Sequence, residues 1–401
     1  MDENCLGSSQ ITDEAIEAYK KRIGIELRIN NIFNELASKE TIRKFVDGIG
    51  DPNPLWRDVD YARKSRYRSL IAPPSWVASV FPTWVLQGLP GVHAFQTSTD
   101  WQFHKPVYED DRIKPKSTFK NFRFLESGFA GRSILETQEA RYFNQLGELV
   151  AQAEVTGLRA ERAEVRERNK YGNFTLPHPW TDAELSAIQE QALNEKIRGA
   201  DVRYWEDISA GDEIPAVIKG PLGLTDIIAY CVGAAPVSIL AHEVALREYQ
   251  MHPAWAFRDP DSKSLEPIYS VHYNVNAARG AGLPLPFDIG TQRHCWLIQM
   301  LTNWMGNDGW LKRCYARYTG FVFFSDVIWI RGRVTKKYVD VNGEYCVDIV
   351  TTAENQRGEE VMPGESTIIL PSKSAGTGPL DTRLRSNPPD MGSGRGDHHV
   401  S

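Results

Sequence analysis

The sequence predicts an α+β protein made of two copies of one domain, each pairing an antiparallel sheet with a long apolar helix. The strongest observation is an internal repeat, because residues 55–75 align with residues 271–291 without a gap. Each repeated stretch precedes an apolar stretch with helical spacing, over residues 76–89 and between Gly290 and Gly306. Segments that alternate apolar and polar residues follow, as half-buried antiparallel strands do. So long a period indicates duplicated domains rather than a solenoid.

The first half begins with a helix predicted over residues 11–26, with Thr12 as its N-cap. A short helix over residues 39–50 ends in the turn Gly50-Asp51-Pro52-Asn53-Pro54, which projects the side chains of Asp51 and Asn53. The alternating pattern then predicts strands over residues 97–103, 112–124, 131–144 and 148–159.

The second half repeats this order after a connecting helix predicted over residues 181–197. A short helix over residues 224–232 comes next, and residues 242–266 form an insertion without a counterpart in the first half. Strands are predicted over residues 326–341, 344–355 and 359–370. The predicted organisation is an N-terminal domain over residues 1–160, a linker over 161–200, a C-terminal domain over 201–371 and a disordered tail over 372–401.

Composition excludes several classes of protein. The net charge of −6 comes with no basic patch, which disfavours nucleic acid as the main partner. The five cysteines are scattered without CxxC spacing, so neither a disulfide framework nor a zinc site is expected. The polar N-terminus is not a secretory signal, and no apolar run is long enough for a membrane span. We therefore expect a cytoplasmic protein with no membrane partner and no metal, including at His398 and His399 in the tail.

The stretch from Ile268 to Gly306 has the pattern of a catalytic site. A polar segment with His272 and Asn274 precedes a turn rich in glycine and proline, and the apolar helix starts at the end of that turn. An imidazole suits general acid–base chemistry. The free N–H groups of a helix N-terminus suit a developing oxyanion. This order therefore predicts a general acid or base facing an oxyanion site.

Several motifs resemble those of the MaoC-like acyl dehydratases, over roughly residues 10–160 and 200–371. The matching segments are FVDGIGDPNPL at residues 45–55, Ala62, IAPPS at 71–75, HKPV at 104–107 before Asp111, and Phe321-Val322 before Asp326. The resemblance implies two tandem hot-dog domains, each an antiparallel sheet wrapped around a long central helix. It also implies addition of water to a 2-enoyl-CoA, or its removal from a 3-hydroxyacyl-CoA, without a cofactor.

In this family an Asp and a His from the motif GDxNPxH activate a water, and helix N–H groups hold the thioester oxygen. The first half keeps Asp51 and Asn53 but has Trp56 at the histidine position. An indole cannot transfer a proton, so we expect this half to be catalytically silent. The second half keeps His272, with Asn274 where the family often has Asp.

The second half lacks a carboxylate at the aspartate position of the motif, because its short helix ends in Gly233-Ala234-Ala235-Pro236. Glu243, Glu266 and Asp288 are alternative sources of this carboxylate. We predict His272, Asp288 and Gly290 as the catalytic set, with Gly290 at the oxyanion. The residues predicted to bind substrate are Asn274, Arg293, Asp51 and Asn53; a structural ion pair is the alternative for Arg293.

Two functions from different classes remain open. The first is an acyl-CoA hydratase or dehydratase with His272 as its general acid/base. The second is a catalytically incomplete subunit that binds an acyl-CoA or needs a partner hot-dog protein, since Asp51 and His272 lie in different halves. A thioesterase is a third, weaker reading, because hot-dog folds also host that reaction. The expected partners are an acyl-CoA thioester and either a second copy of the chain or a hot-dog subunit.

Overall fold

A computed structural model of the chain describes residues 10–127, 131–168, 171 and 173–384. Within these residues, ten strands form one antiparallel sheet in the order β1-β3-β4-β5-β2-β9-β12-β11-β10-β6. The strands of the first half are β1 (Glu26–Leu27), β2 (Val92–Phe103), β3 (Lys114–Ser127), β4 (Gly131–Phe143) and β5 (Leu149–Glu161). Those of the second half are β6 (Glu213–Lys219), the small hairpin β7 (Ala256–Arg258) and β8 (Leu265–Pro267), β9 (Trp310–Arg317), β10 (Ile328–Val339), β11 (Tyr345–Asn355) and β12 (Gly364–Ile369).

Ten α-helices occur within the described part of the chain. They are α1 (Asp13–Lys20), α2 (Lys39–Ile49), α3 (Val59–Lys64), α4 (Val77–Val80), α5 (Arg162–Arg168), α6 (Asp182–Leu193), α7 (Leu224–Ala234), α8 (His242–Met251), α9 (Val275–Gly280) and α10 (Gly290–Met305). The Thr12 side chain accepts from the Ala15 N–H, which confirms the predicted N-cap. The antiparallel sheet with helices confirms the α+β class. Pairing of β2 with β9 joins the two halves into one sheet.

The predicted long helix exists in the second half only. Helix α10 contacts β6, β9 and β10, and all of its residues from Thr291 to Met305 are buried. The helix predicted over residues 76–89 was wrong, since α4 ends at Val80 after four residues. Phe81 is extended because the ring of Pro82 disfavours helical geometry in the preceding residue. The chain after α4 instead runs over the sheet, where the Trp84 ring covers Gly157.

The short helices α2 and α7 cross through reciprocal glycines. A Cβ on Gly48 would lie 2.6 Å from the Ala229 carbonyl oxygen, and one on Gly233 would lie 2.4 Å from the Lys44 carbonyl oxygen. Only glycine allows two backbones to approach so closely. The same contact is thus made twice, once from each half, as expected for two related folds packed around a local twofold axis.

The internal repeat extends to hydrogen bonds. The Asp111 carboxylate accepts from the Tyr108 N–H (2.8 Å), and the Asp326 carboxylate accepts from the Phe323 N–H (2.9 Å). The same tyrosine and phenylalanine form isolated bridges, Tyr108 with Ile71 and Phe323 with Phe287. These bridges hold the turn that precedes α4 and the turn that precedes α10. The two motifs singled out before Asp111 and Asp326 therefore perform one structural task.

Two features differ from the sequence interpretation. Strands β6 and β9 were not predicted, and both are short segments beside α10. Residues 372–384, assigned to the disordered tail, are ordered: Arg66 donates to Asp381 (2.8 Å) and Arg383 pairs with Glu344. Residues 385–401, with His398 and His399, lie outside the described residues. Among the described helices, none is both long and apolar enough to cross a membrane.

Candidate active site

His272 is the last residue of a short 3₁₀ helix, Ile268–His272, just ahead of α9. Its Nδ1 lies 3.0 Å from the Phe287 carbonyl oxygen, which can only accept a hydrogen bond. Nδ1 therefore carries the proton, and Nε2 keeps its lone pair. Burial lowers the pKa of His272 to about 4, so the imidazole is neutral at pH 7. A neutral ring with a basic Nε2 is the form that a general base needs.

Gly290 is the first residue of α10, and no side chain caps this end of the helix. The N–H groups of the first turn lack intrahelical acceptors, and the helix dipole favours negative charge here. A Cβ on Gly290 would meet the ring of Tyr318 at 3.7 Å and Oε1 of Gln96 at 3.8 Å. The space in front of the helix therefore lies between Gln96, on β2 of the first half, and Tyr318, which directly follows β9. Sequence reasoning missed Gln96 and Tyr318, because only the pairing of β2 with β9 brings them to Gly290.

Asp288 and Arg293 form a buried ion pair with two hydrogen bonds, of 2.5 Å and 2.6 Å. Arg293 also donates to the carbonyl oxygens of Gly320 and Val361, both at 2.9 Å. Both oxygens of Asp288 are therefore engaged by the guanidinium, which clamps the start of α10 to the loop after β9. This geometry is that of the structural ion pair, the alternative considered for Arg293. It places the guanidinium in the interior rather than at a CoA phosphate.

Asn274 is the N-cap of α9, where its Oδ1 accepts from the Ala277 N–H at 2.9 Å. Its amide nitrogen donates to Asp259 at 2.9 Å. Asp259 lies in the β7–β8 hairpin of the insertion, and both it and Asp261, which accepts from Asn276 at 2.8 Å, reach the repeated stretch. Asn274 therefore fixes the insertion to α9. Of the other two candidates, Glu243 is exposed and pairs with Arg247, whereas Glu266 is half-buried and accepts from Ser264.

The predicted residues of the first half form a closed, buried turn. Asp51 accepts from the Asn53 N–H (3.0 Å) and from the Trp56 indole N–H (2.9 Å). Asn53 accepts from the Leu55 N–H at 3.0 Å. Burial raises the pKa of Asp51. The carboxylate of the motif thus accepts a hydrogen bond from the tryptophan that stands at the histidine position.

The first half also lacks the oxyanion donor. Its counterpart of Gly290 in the repeat is Pro74, the first residue of the 3₁₀ helix Pro74–Trp76, and proline has no N–H. A cavity of about 30 Å³ lies beside Trp56, with Pro73, Pro74 and Thr302 in its wall. That volume holds about two water molecules. Of the two repeated stretches, the one in the second half combines a histidine with a helix start that has N–H groups, around the turn from Phe287 to Gly290.

Comparison with known proteins agrees with this architecture. Residues 25–153 match the family model described as "FAS1-like, dehydratase domain region". A UPF0336 protein from Parafrankia sp. (strain EAN1pec) is 32% identical over 126 residues, which cover 28% of this chain and 77% of the relative. A UPF0336 protein from Streptomyces avermitilis is 29% identical over 133 residues, 31% of this chain and 85% of the relative. The chain belongs to the same family as these UPF0336 proteins, and its first half matches a dehydratase domain.

Solved structures share this fold over most of the chain. A MaoC-like dehydratase superposes with a TM-score of 0.60 at 16% identity, over 88% of this chain and 99% of its own. A conserved hypothetical protein from Mycobacterium tuberculosis, described as having a double hot-dog fold, gives a TM-score of 0.51 at 10% identity over 86% of this chain and 96% of its own. The predicted family and the double hot-dog fold are confirmed. The family model covers the half that carries Trp56, so the roles of residues around His272 stay predictions.

Proposed function

We propose that the protein is an acyl-thioester hydratase or dehydratase, which adds water to a 2-enoyl-CoA or removes it from a 3-hydroxyacyl-CoA. The observation that carries the proposal is one turn with two catalytic features. The Phe287 carbonyl fixes the His272 tautomer, and three residues later Gly290 opens the uncapped N-terminus of α10. A base and an oxyanion site are the two groups that this reaction requires.

In the hydration direction, Nε2 of His272 takes a proton from a water molecule as the water oxygen bonds to the β-carbon. The π electrons of the enoyl group move toward the thioester oxygen, which becomes an enolate. The N–H groups of Gly290 and Thr291 hold this oxygen, since the helix dipole favours negative charge there. The imidazolium then returns its proton to the α-carbon, which regenerates the thioester and the neutral base. Dehydration follows the same steps in reverse, and no cofactor takes part.

The remaining predicted residues support this site without touching the reacting atoms. The Asp288–Arg293 ion pair holds the start of α10, and Asn274 holds α9 next to His272. Asp51 and Asn53 keep the silent turn of the first half in shape. We assign these residues positioning roles rather than catalytic or substrate-binding ones.

A catalytically incomplete subunit is the second candidate, and one observation favours it. The carboxylate of the motif, Asp51, is buried against Trp56 in one half, whereas His272 lies in the other. Under this alternative the protein binds an acyl-CoA and turns it over only with a partner hot-dog subunit, or only carries it. A second copy of the chain is the simplest such partner.

The test is a hydration assay on the purified full-length chain with short, medium and long 2-enoyl-CoA substrates. The reaction is monitored as the loss of absorbance of the enoyl thioester. His272→Ala is expected to abolish turnover, whereas His252→Ala, on the exposed surface of the insertion, is expected to leave it unchanged. Circular dichroism checks that both variants fold. Turnover that survives in His272→Ala would identify a different base. Binding without turnover would favour the incomplete subunit, and release of free thiol in the same reactions would indicate a thioesterase.

A further inference from the structure

Strand β2 carries a β-bulge in its pairing with β5, directly before the residues that pair with β9 of the second half. In its pairing with β5, Gln96 lies opposite Gly157 and Ser98 lies opposite Thr156, so Thr97 is the extra residue. In a regular strand, residues three apart point to opposite faces of the sheet. Here the amide nitrogen of Gln96 donates to the Thr99 hydroxyl at 2.7 Å. The bulge has therefore turned Gln96 onto the face of the buried Thr99, the face that Gly290 approaches.

A network of buried polar groups fixes the orientation of this amide. Its nitrogen lies 2.7 Å from the Thr99 hydroxyl and 3.4 Å from the Thr83 hydroxyl. The Thr99 hydroxyl also lies 3.3 Å from the Tyr318 hydroxyl, which is 2.9 Å from Nδ1 of His294. Because the threonines engage the nitrogen, the oxygen Oε1 faces Gly290, 3.8 Å from the position of a Cβ there. A side chain held by its neighbours in this way is preorganised to bind.

The second half lacks the acceptor that its own motif would supply. In the first half, α2 ends in the left-handed cap Gly50 and Asp51 follows it. In the second half, α7 ends in the left-handed cap Ala235, and the next residue is Pro236. Proline has no side chain that accepts a hydrogen bond. An acceptor for the attacking water must therefore come from elsewhere in the fold.

We propose that Gln96 supplies this acceptor from the first half. With the thioester oxygen at Gly290, Oε1 of Gln96 accepts a hydrogen bond from the attacking water, or from the 3-hydroxyl group of the product. The amide orients this O–H group and takes no proton; His272 remains the base. The inference rests on the proposed function and adds a residue that recognises a 3-hydroxyacyl thioester. The first half, although it lacks a base of its own, then completes the site of the second.

The test compares Gln96→Met, which keeps the shape but removes the acceptor, with Gln96→Glu, which keeps an acceptor oxygen. Gln102→Met, the same substitution at an exposed position of β2, is the matched control. Losing one hydrogen bond in the transition state is expected to lower kcat about tenfold to a hundredfold in Gln96→Met. We expect KM to stay within about twofold. Gln96→Glu should retain most of the activity, because a carboxyl group keeps an acceptor oxygen whether or not it is protonated.

A binding measurement separates this inference from the proposed function. Calorimetry with a 3-hydroxyacyl-CoA and the acyl-CoA of equal chain length measures the preference for the hydroxyl group. The unmodified protein and Gln102→Met should bind the hydroxylated thioester more tightly, and Gln96→Met should bind the two alike. If Gln96→Met keeps the preference, or its kcat equals that of Gln102→Met, the inference is overturned even where hydration is observed. Absence of turnover in the unmodified protein would overturn the proposed function alone, because the hydroxyl preference tests Gln96 without catalysis.

Discussion

Gly290→Ala tests whether the start of α10 is where the thioester binds. The added methyl group would meet Tyr318 and Gln96 at 3.7 Å and 3.8 Å, which are ordinary van der Waals distances. Alanine also has a higher helix propensity than glycine, by up to about 1 kcal/mol in a helix interior. The free energy of unfolding is therefore expected to change by less than about 1 kcal/mol. The methyl group nevertheless occupies the space in front of the first N–H groups of the helix.

The expected effect of Gly290→Ala on catalysis is large. A thioester oxygen must come within about 2.7–3.1 Å of its donors for oxyanion stabilisation. A methyl group in its place displaces the oxygen, so kcat/KM should fall about a hundredfold, the cost of losing one such donor. The assay is enoyl-CoA hydration under conditions of low substrate, combined with urea unfolding to confirm unchanged stability.

A second helix provides the matched control for this variant. Gly223 is half-buried and caps α7, and a Cβ there would also find its nearest neighbour at an ordinary distance, 3.7 Å from the Asp226 carboxylate. Gly223→Ala should keep the activity of the unmodified protein. If Gly290→Ala is as active as Gly223→Ala, the thioester does not bind at the start of α10, and the reasoning fails.

Two further predictions follow from the pKa of His272 and from the buried ion pair. The base is active when deprotonated, so kcat/KM should be retained as the pH falls below 6 and be lost only as it approaches about 4. The lowered pKa also makes the free energy of unfolding depend on pH. The contribution of His272 to stability is complete above its unfolded pKa of about 6.5 and should fade as the pH falls from about 6.5 to about 4. A midpoint near 6.5 in the pH profile of kcat/KM would contradict the burial argument. Asp288→Asn leaves the Arg293 guanidinium buried without its counter-charge, and should lower the free energy of unfolding by about 3–5 kcal/mol. Asp47→Asn, which removes an exposed ion pair with Arg57, should cost less than about 1 kcal/mol; equal effects would mean that the buried pair does not stabilise the fold.

Much of the local structure could be read from the sequence, because its causes are local. The predicted Thr12 cap depends on residues within one turn of it. The caps formed by Asp58 and Asn274, at matching places in the repeat, are equally local, although Asn274 was predicted to bind substrate. The alternating segments became strands β2 to β5 and β10 to β12 within a few residues of the predicted limits. The position of His272 before a turn that opens a helix was also a property of the sequence alone.

Tertiary structure decided the features that depend on residues far apart in the chain. Asp288 was predicted to belong to the catalytic set, but its pairing with Arg293 was decided by the fold, because the guanidinium also needs the carbonyls of Gly320 and Val361. The approach of Gln96 to Gly290 required a bulge in one half and the pairing of β2 with β9. A sequence pattern records the preferences of neighbouring residues, whereas a site between two halves exists only once their sheets have joined. The sequence thus determined the histidine and its turn, and the fold determined what faces them.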